Sequence, residues 1–148
     1  MKSPFNRTAG SRLNCNQGGF TLVELVIAVM VISVLAAIAV PQYSRYAQRT
    51  HRASAQVALQ QLAQWLERVV TANGTYPAED AVPSNLLKVE GERYTITYVP
   101  ANNFSTYVLT ATAKPSQQGD GCGNLTLNQQ GLKGASQAGA SIDECWTR

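Results

Sequence analysis

The chain has 148 residues, 12 basic and 9 acidic side chains, a formal net charge of +3, and 45% hydrophobic residues that crowd into one stretch. Lys2, Arg7 and Arg12 account for the whole surplus, so the sequence after Gly19 is neutral and bulk charge offers no basis for nucleic-acid binding. With one membrane segment set aside, roughly 100 residues remain, enough for one small domain.

Residues 1–19 are polar and basic, with no apolar run of their own. They end in Gly18-Gly19, a flexible place to cut that carries no side chains. Residues 20–40 follow, almost wholly apolar and without Gly or Pro before Pro41. As a helix these 21 residues rise roughly 31 Å, which matches a hydrocarbon core of about 30 Å. An ordinary secretory signal has its apolar region before the cut. Here it comes after, so cleavage at Gly19 would retain the membrane segment.

The same cut settles the cysteines. It removes Cys15 and leaves Cys122 and Cys145, flanking a polar loop. In an exported domain such a pair is expected to form a disulfide, contributing about 3 kcal/mol in the chain-entropy model. Basic residues are nearly balanced on the two sides of the apolar run, with Arg45, Arg49 and Arg52 following it. The leader is therefore placed in the cytoplasm by the disulfide, which needs the oxidising side.

Glu24 is the one charge in the apolar run. Thr21-Leu22-Val23-Glu24 fits a capping box, and a carboxylate in a first helical turn suits the macrodipole. A sharper reading starts from the cut, which creates a charged amine on Phe20 about 6 Å along the axis from Glu24. Both groups bear a desolvation cost in an apolar setting unless paired. Between identical helices side by side, Glu24 of one subunit can neutralise the Phe20 amine of its neighbour and set their register.

Gly19-Phe20-Thr21-Leu22-Val23-Glu24, followed by an apolar helix, resembles the class III signal of type IV pilins. The resemblance implies cleavage between Gly19 and Phe20 by a prepilin peptidase, N-methylation of Phe20, and a register role for Glu24. It also places the family's helix-disturbing proline at Pro41.

The helix is expected to run on past Pro41, kinked or locally unwound there, to about Ala72. Ala55, Leu59, Leu62, Leu66 and Val69 form an apolar stripe, and Asn73-Gly74 is the stop. Residues 75–91 read as an irregular connection. Segments 93–99 and 105–113 alternate as strands, with Tyr94, Ile96 and Tyr98 on one face and Tyr107, Leu109 and Ala111 on another. Asn102-Asn103 turns between them, and Leu125 and Leu127 mark a third strand. The fold class is α+β: a long N-terminal helix packed on an antiparallel sheet of three or four strands, with a C-terminal disulfide loop. The segment from Cys122 to Gly134, closed by Glu144-Cys145-Trp146, resembles the C-terminal disulfide loop of PilE-type minor pilins.

No catalytic constellation, P-loop or zinc pattern is present, so neither an enzyme nor a cofactor is expected. His51 reads as a solvated helix residue and Asp143-Glu144 as a solvated turn. Trp65 reads as core, while Trp146 is open between packing and surface contact. Arg45, Arg49 and Arg52 fall on one helix face, suited first to lipid phosphates or a neighbouring subunit and second to DNA.

The organisation is then a leader at 1–19, a transmembrane and filament-core helix at 20–40, and a periplasmic or extracellular domain at 41–148. The resemblance implies a minor pilin, held once through the bacterial inner membrane and then built into an extracellular pilus with other pilin subunits. Its implied roles are pilus assembly, twitching motility and adhesion. A DNA-uptake pilin and a type II secretion pseudopilin are the alternatives, the latter disfavoured by the two cysteines.

Overall fold

The structure, a computed structural model, describes residues 19–147. The leader up to Gly18, including Cys15 and its three basic residues, lies outside the described residues. The chain divides into two compact units, one ending at Ile38 and one beginning at Ala39.

Helix α1 spans Leu22–Asn73. Thr21 caps it: its hydroxyl accepts the Glu24 N–H at 3.2 Å, and its carbonyl accepts the Leu25 N–H at 3.1 Å. In the first unit every helical side chain is exposed, and the segment is long and apolar enough to cross a membrane. No residue is unwound at Pro41. The proline deprives the Ala37 carbonyl of its helical donor.

The second unit forms its own core. Ala55, Ala58, Leu59, Leu62 and Leu66 are buried along α1, with Val69 half-buried at the stripe's end. The helix stops where Gly74, at φ 80°, takes the left-handed conformation that a helix C-terminus requires. Facing the stripe is an antiparallel sheet of four strands in sequential order: β1 (Tyr94–Ala101), β2 (Thr106–Ala113), β3 (Leu125–Asn128) and β4 (Lys133–Ala135). Strict alternation puts Tyr94, Ile96, Tyr98, Tyr107, Leu109, Ala111, Leu125 and Leu127 inward. The register Tyr98↔Leu109↔Leu127 runs straight across three strands.

The β1–β2 turn is tighter than two asparagines suggested. Asn102, Asn103 and Phe104 all have left-handed φ, between 51° and 61°. Asparagine tolerates that conformation, while phenylalanine is strained by about 1–2 kcal/mol. The Tyr76 N–H donating to the Phe104 carbonyl at 2.9 Å holds the turn in place.

A short helix, α2 (Ile142–Trp146), closes the chain and is capped by Ser141. The Cys122–Cys145 disulfide ties it to the turn before β3, with Cα atoms 5.7 Å apart. Both tryptophans pack. Trp65 lies half-buried against the core, and Trp146 is buried with its indole N–H donating to the Gly134 carbonyl at 3.0 Å.

Candidate functional site

Charge and groove chemistry gather around the first turns of α1 inside the second unit. Arg52 does not share the free face expected for the three arginines. It is buried, and its guanidinium pairs with Asp120. The other Asp120 oxygen accepts the Tyr94 hydroxyl at 3.0 Å and the Gln117 amide at 3.4 Å, and that amide also donates to the Gln48 carbonyl at 2.8 Å. Helical spacing does align Arg45, Arg49 and Arg52, but the loop carrying Gly119-Asp120-Gly121 covers the face at Arg52. Arg45 and Arg49 remain exposed.

One turn further on, the Gln56 amide donates to the Cys145 carbonyl at 2.6 Å. The loop before β3 and helix α2 are thus both fastened to α1 by buried polar side chains. The sequence did not reveal the partners of Arg52 or Gln56. The available hint was an aspartate held between two glycines, two residues from a cysteine. His51 is half-buried rather than free: a side chain on Gly91 (φ 78°) would meet its ring at 2.8 Å.

Between α1, the Gly119–Gly121 turn and α2 lies a groove of about 610 Å³. Its walls include Arg45, Arg49, Ser141 and Glu144. Among the described residues no three His, Cys, Asp or Glu side chains converge as metal ligands.

A second polar cluster is structural. The Tyr76 and Tyr107 hydroxyls donate to one Glu67 oxygen at 2.8 and 3.4 Å, and the Tyr98 hydroxyl donates to the Pro77 carbonyl at 2.7 Å. Burial and then the Glu67 hydrogen bond push the Tyr76 phenol up to about 12. Burial also raises Tyr98, Tyr107 and Tyr94, with Glu67 adding to Tyr107 and Asp120 to Tyr94. Unfolded phenols ionise near pH 10, so above that pH the folded state holds more protons than the unfolded one. Stability is accordingly complete below pH ~10 and lost as pH rises toward and beyond about 12. Denaturant titration of the full chain in detergent should show a falling midpoint above pH ~10, with phenolate absorbance appearing on unfolding. A flat midpoint to pH ~12 would contradict the buried tyrosine arrangement.

In the first unit, Gly19 and Phe20 precede the helix as exposed, non-helical backbone, with Phe20 83% exposed. Glu24 lies in the first turn, and among the described residues its carboxylate has no ion-pair partner. The capping hydroxyl therefore accounts for how the helix starts and leaves the carboxylate charge unanswered among the described residues.

Residues 14–40 match the family described as "Prokaryotic N-terminal methylation motif". Residues 41–126 match the family described as "Type IV minor pilin ComP, DNA uptake sequence receptor". The chain is 32% identical over 129 residues to the fimbrial protein EcpC of Eikenella corrodens, covering 87% of this chain and 82% of that protein. Among solved structures, it is similar to a type IV pilin from Shewanella oneidensis, with TM-score 0.53 and 29% identity, over 68% of this chain and 99% of the other. The non-core minor pilin PilV of Neisseria meningitidis shares the fold at TM-score 0.50 and 24% identity, over 66% of this chain and 95% of the other.

Proposed function

The chain belongs to the type IV pilins, and from that premise we propose that it is a minor pilus subunit acting in pilus assembly, with twitching motility and adhesion as the dependent behaviours. The observation that carries the reading is the apolar run at 20–40, every residue of it exposed, on a chain that has a separate closed core between Ala55 and Trp146. In water such a run is untenable, whereas lipid or the packed core of a filament covers it. A prepilin peptidase cuts between Gly19 and Phe20, the Phe20 amine is methylated, and the segment holds the subunit in the inner membrane until it joins other pilins. Pro41, which has no N–H to donate, is where the helix bends most readily. The match of 41–126 to a minor-pilin family supports minor over major.

Deletion of the gene, scored for surface pili and twitching, tests the assembly role. Reduced piliation with a major subunit still present is the expected result. Sheared pili composed mainly of this chain would instead make it the major subunit.

A second reading is favoured by that same family, which is described as a receptor for a DNA uptake sequence. Against it stand the neutral processed chain and the burial of Arg52, which leaves Arg45 and Arg49 as the free cations of that helix face. Duplex DNA binding that weakens steeply with salt and prefers one sequence would favour this reading.

A further inference from the structure

We infer that Arg45 and Arg49, with the groove they line, form a docking surface for anionic phospholipid headgroups while the subunit resides in the membrane. The inference rests on the proposed membrane stage, since it needs residues 20–40 to span a bilayer. Tyr43 and Tyr46 are 74% and 69% exposed although they lie just past the apolar run. Large aromatics with a polar tip at that position suit the membrane–water interface. Arg45 is five residues beyond Val40, roughly 7.5 Å along a helix, and a headgroup layer is about 5–8 Å thick on each side. Arg49 follows one turn later, and its long side chain can reach back toward the phosphates.

The ion pair with Asp120 makes the surface selective in its chemistry. Arg52 is neutralised inside the fold, so Asp120, although it lines the groove, presents no free carboxylate to a ligand. Arg45 and Arg49 are left facing the groove, with Glu144 as the opposing charge on its wall. Two guanidiniums a helical turn apart fit one or two phosphodiesters. They are too few for the extended phosphate track of a duplex, where affinity grows with each phosphate neutralised. Charge and position along the chain therefore favour the lipid from which the helix emerges.

The test uses the processed full chain in bilayers of phosphatidylcholine and phosphatidylglycerol, with spin-labelled versions of each lipid. Motionally restricted lipid reports contact with the protein, and the ratio of the two labels reports selection. With attraction from each of the two basic residues, offset by Glu144, the expected preference for phosphatidylglycerol is roughly five- to tenfold. Arg45→Gln/Arg49→Gln should bring it near parity, Glu144→Gln should raise it, and Arg68→Gln, exposed near the other end of α1, should leave it unchanged. Circular dichroism of each variant establishes that the fold is kept. Restricted lipid with equal preference in wild type and the double variant would overturn the docking surface and leave the membrane segment standing. Absence of restricted lipid with either label would overturn both. Loss of the preference to inorganic phosphate at matched ionic strength would assign the groove to free anions, and loss to a duplex oligonucleotide would assign it to nucleic acid. Either result would overturn the lipid assignment.

Discussion

Arg52→Ala is expected to destabilise the domain by about 3–5 kcal/mol, because it leaves Asp120 buried and charged without its partner. A domain of this size has a total stability of about 5–15 kcal/mol, so a large part of the folded population is at stake. The loss reaches beyond one pair. Asp120 also receives the Tyr94 hydroxyl and the Gln117 amide, so the start of β1 and the loop before Cys122 are anchored to α1 through the same carboxylate. Denaturant unfolding of the full chain in detergent measures the effect. Asp120→Asn separates its parts, since the amide oxygen can still accept from Tyr94 while the charge is gone. That variant should lose as much as Arg52→Ala or more, now with the guanidinium stranded. Arg52→Met/Asp120→Leu should recover much of the loss if the pair is mainly a device of specificity. An Arg52→Ala midpoint within about 0.5 kcal/mol of wild type would show that the pair is solvated and that the disulfide and the Gln117–Gln48 hydrogen bond hold the loop without it.

The parts of the fold written in local patterns were legible in the sequence. The stripe from Ala55 to Leu66 follows helical periodicity, and the strand residues Tyr94, Ile96, Tyr98 and Tyr107, Leu109, Ala111 alternate without exception, so their burial follows from spacing. The stop at Gly74 and the bond between Cys122 and Cys145 were likewise readable. Contacts distant in sequence were not. Arg52 and Asp120 are 68 residues apart and Gln56 and Cys145 are 89 apart. Neither pairing leaves a periodic trace, because a polar residue on a helix looks the same whether water or a loop satisfies it. For the same reason the three arginines read as one surface, until the Asp120 loop took one of them inside. β4 escaped notice because Lys133, Gly134 and Ala135 lack the apolar alternation that marks a strand. It is held by pairing with β3 and by the Trp146 indole on Gly134.

Glu24→Ala should leave cleavage after Gly19 intact and abolish incorporation into pili. The two steps depend on different features. The cut needs exposed backbone at Gly19 and Phe20, which lies outside α1 and is unaffected by a side chain in the first turn. The Thr21 cap also survives, because it uses the Glu24 N–H rather than its carboxylate. Incorporation, on the proposed reading, needs the carboxylate itself. The Phe20 amine made by cleavage must leave water when the helix packs among its neighbours, and a stranded charge in an apolar setting costs several kcal/mol. A second copy's Glu24 answers that charge only when adjacent helices are offset by about one helical turn, so the pairing fixes axial register as well as neutrality. Immunoblots of sheared pili and membranes read out both steps: processed Glu24→Ala protein should accumulate in the membrane fraction and be absent from the fibres. Glu24→Gln distinguishes charge from shape, and it should fail as alanine does if neutralising the amine is what matters. Normal incorporation of either variant would remove the amine–carboxylate pair from the account and leave apolar packing of residues 20–40 to set the register.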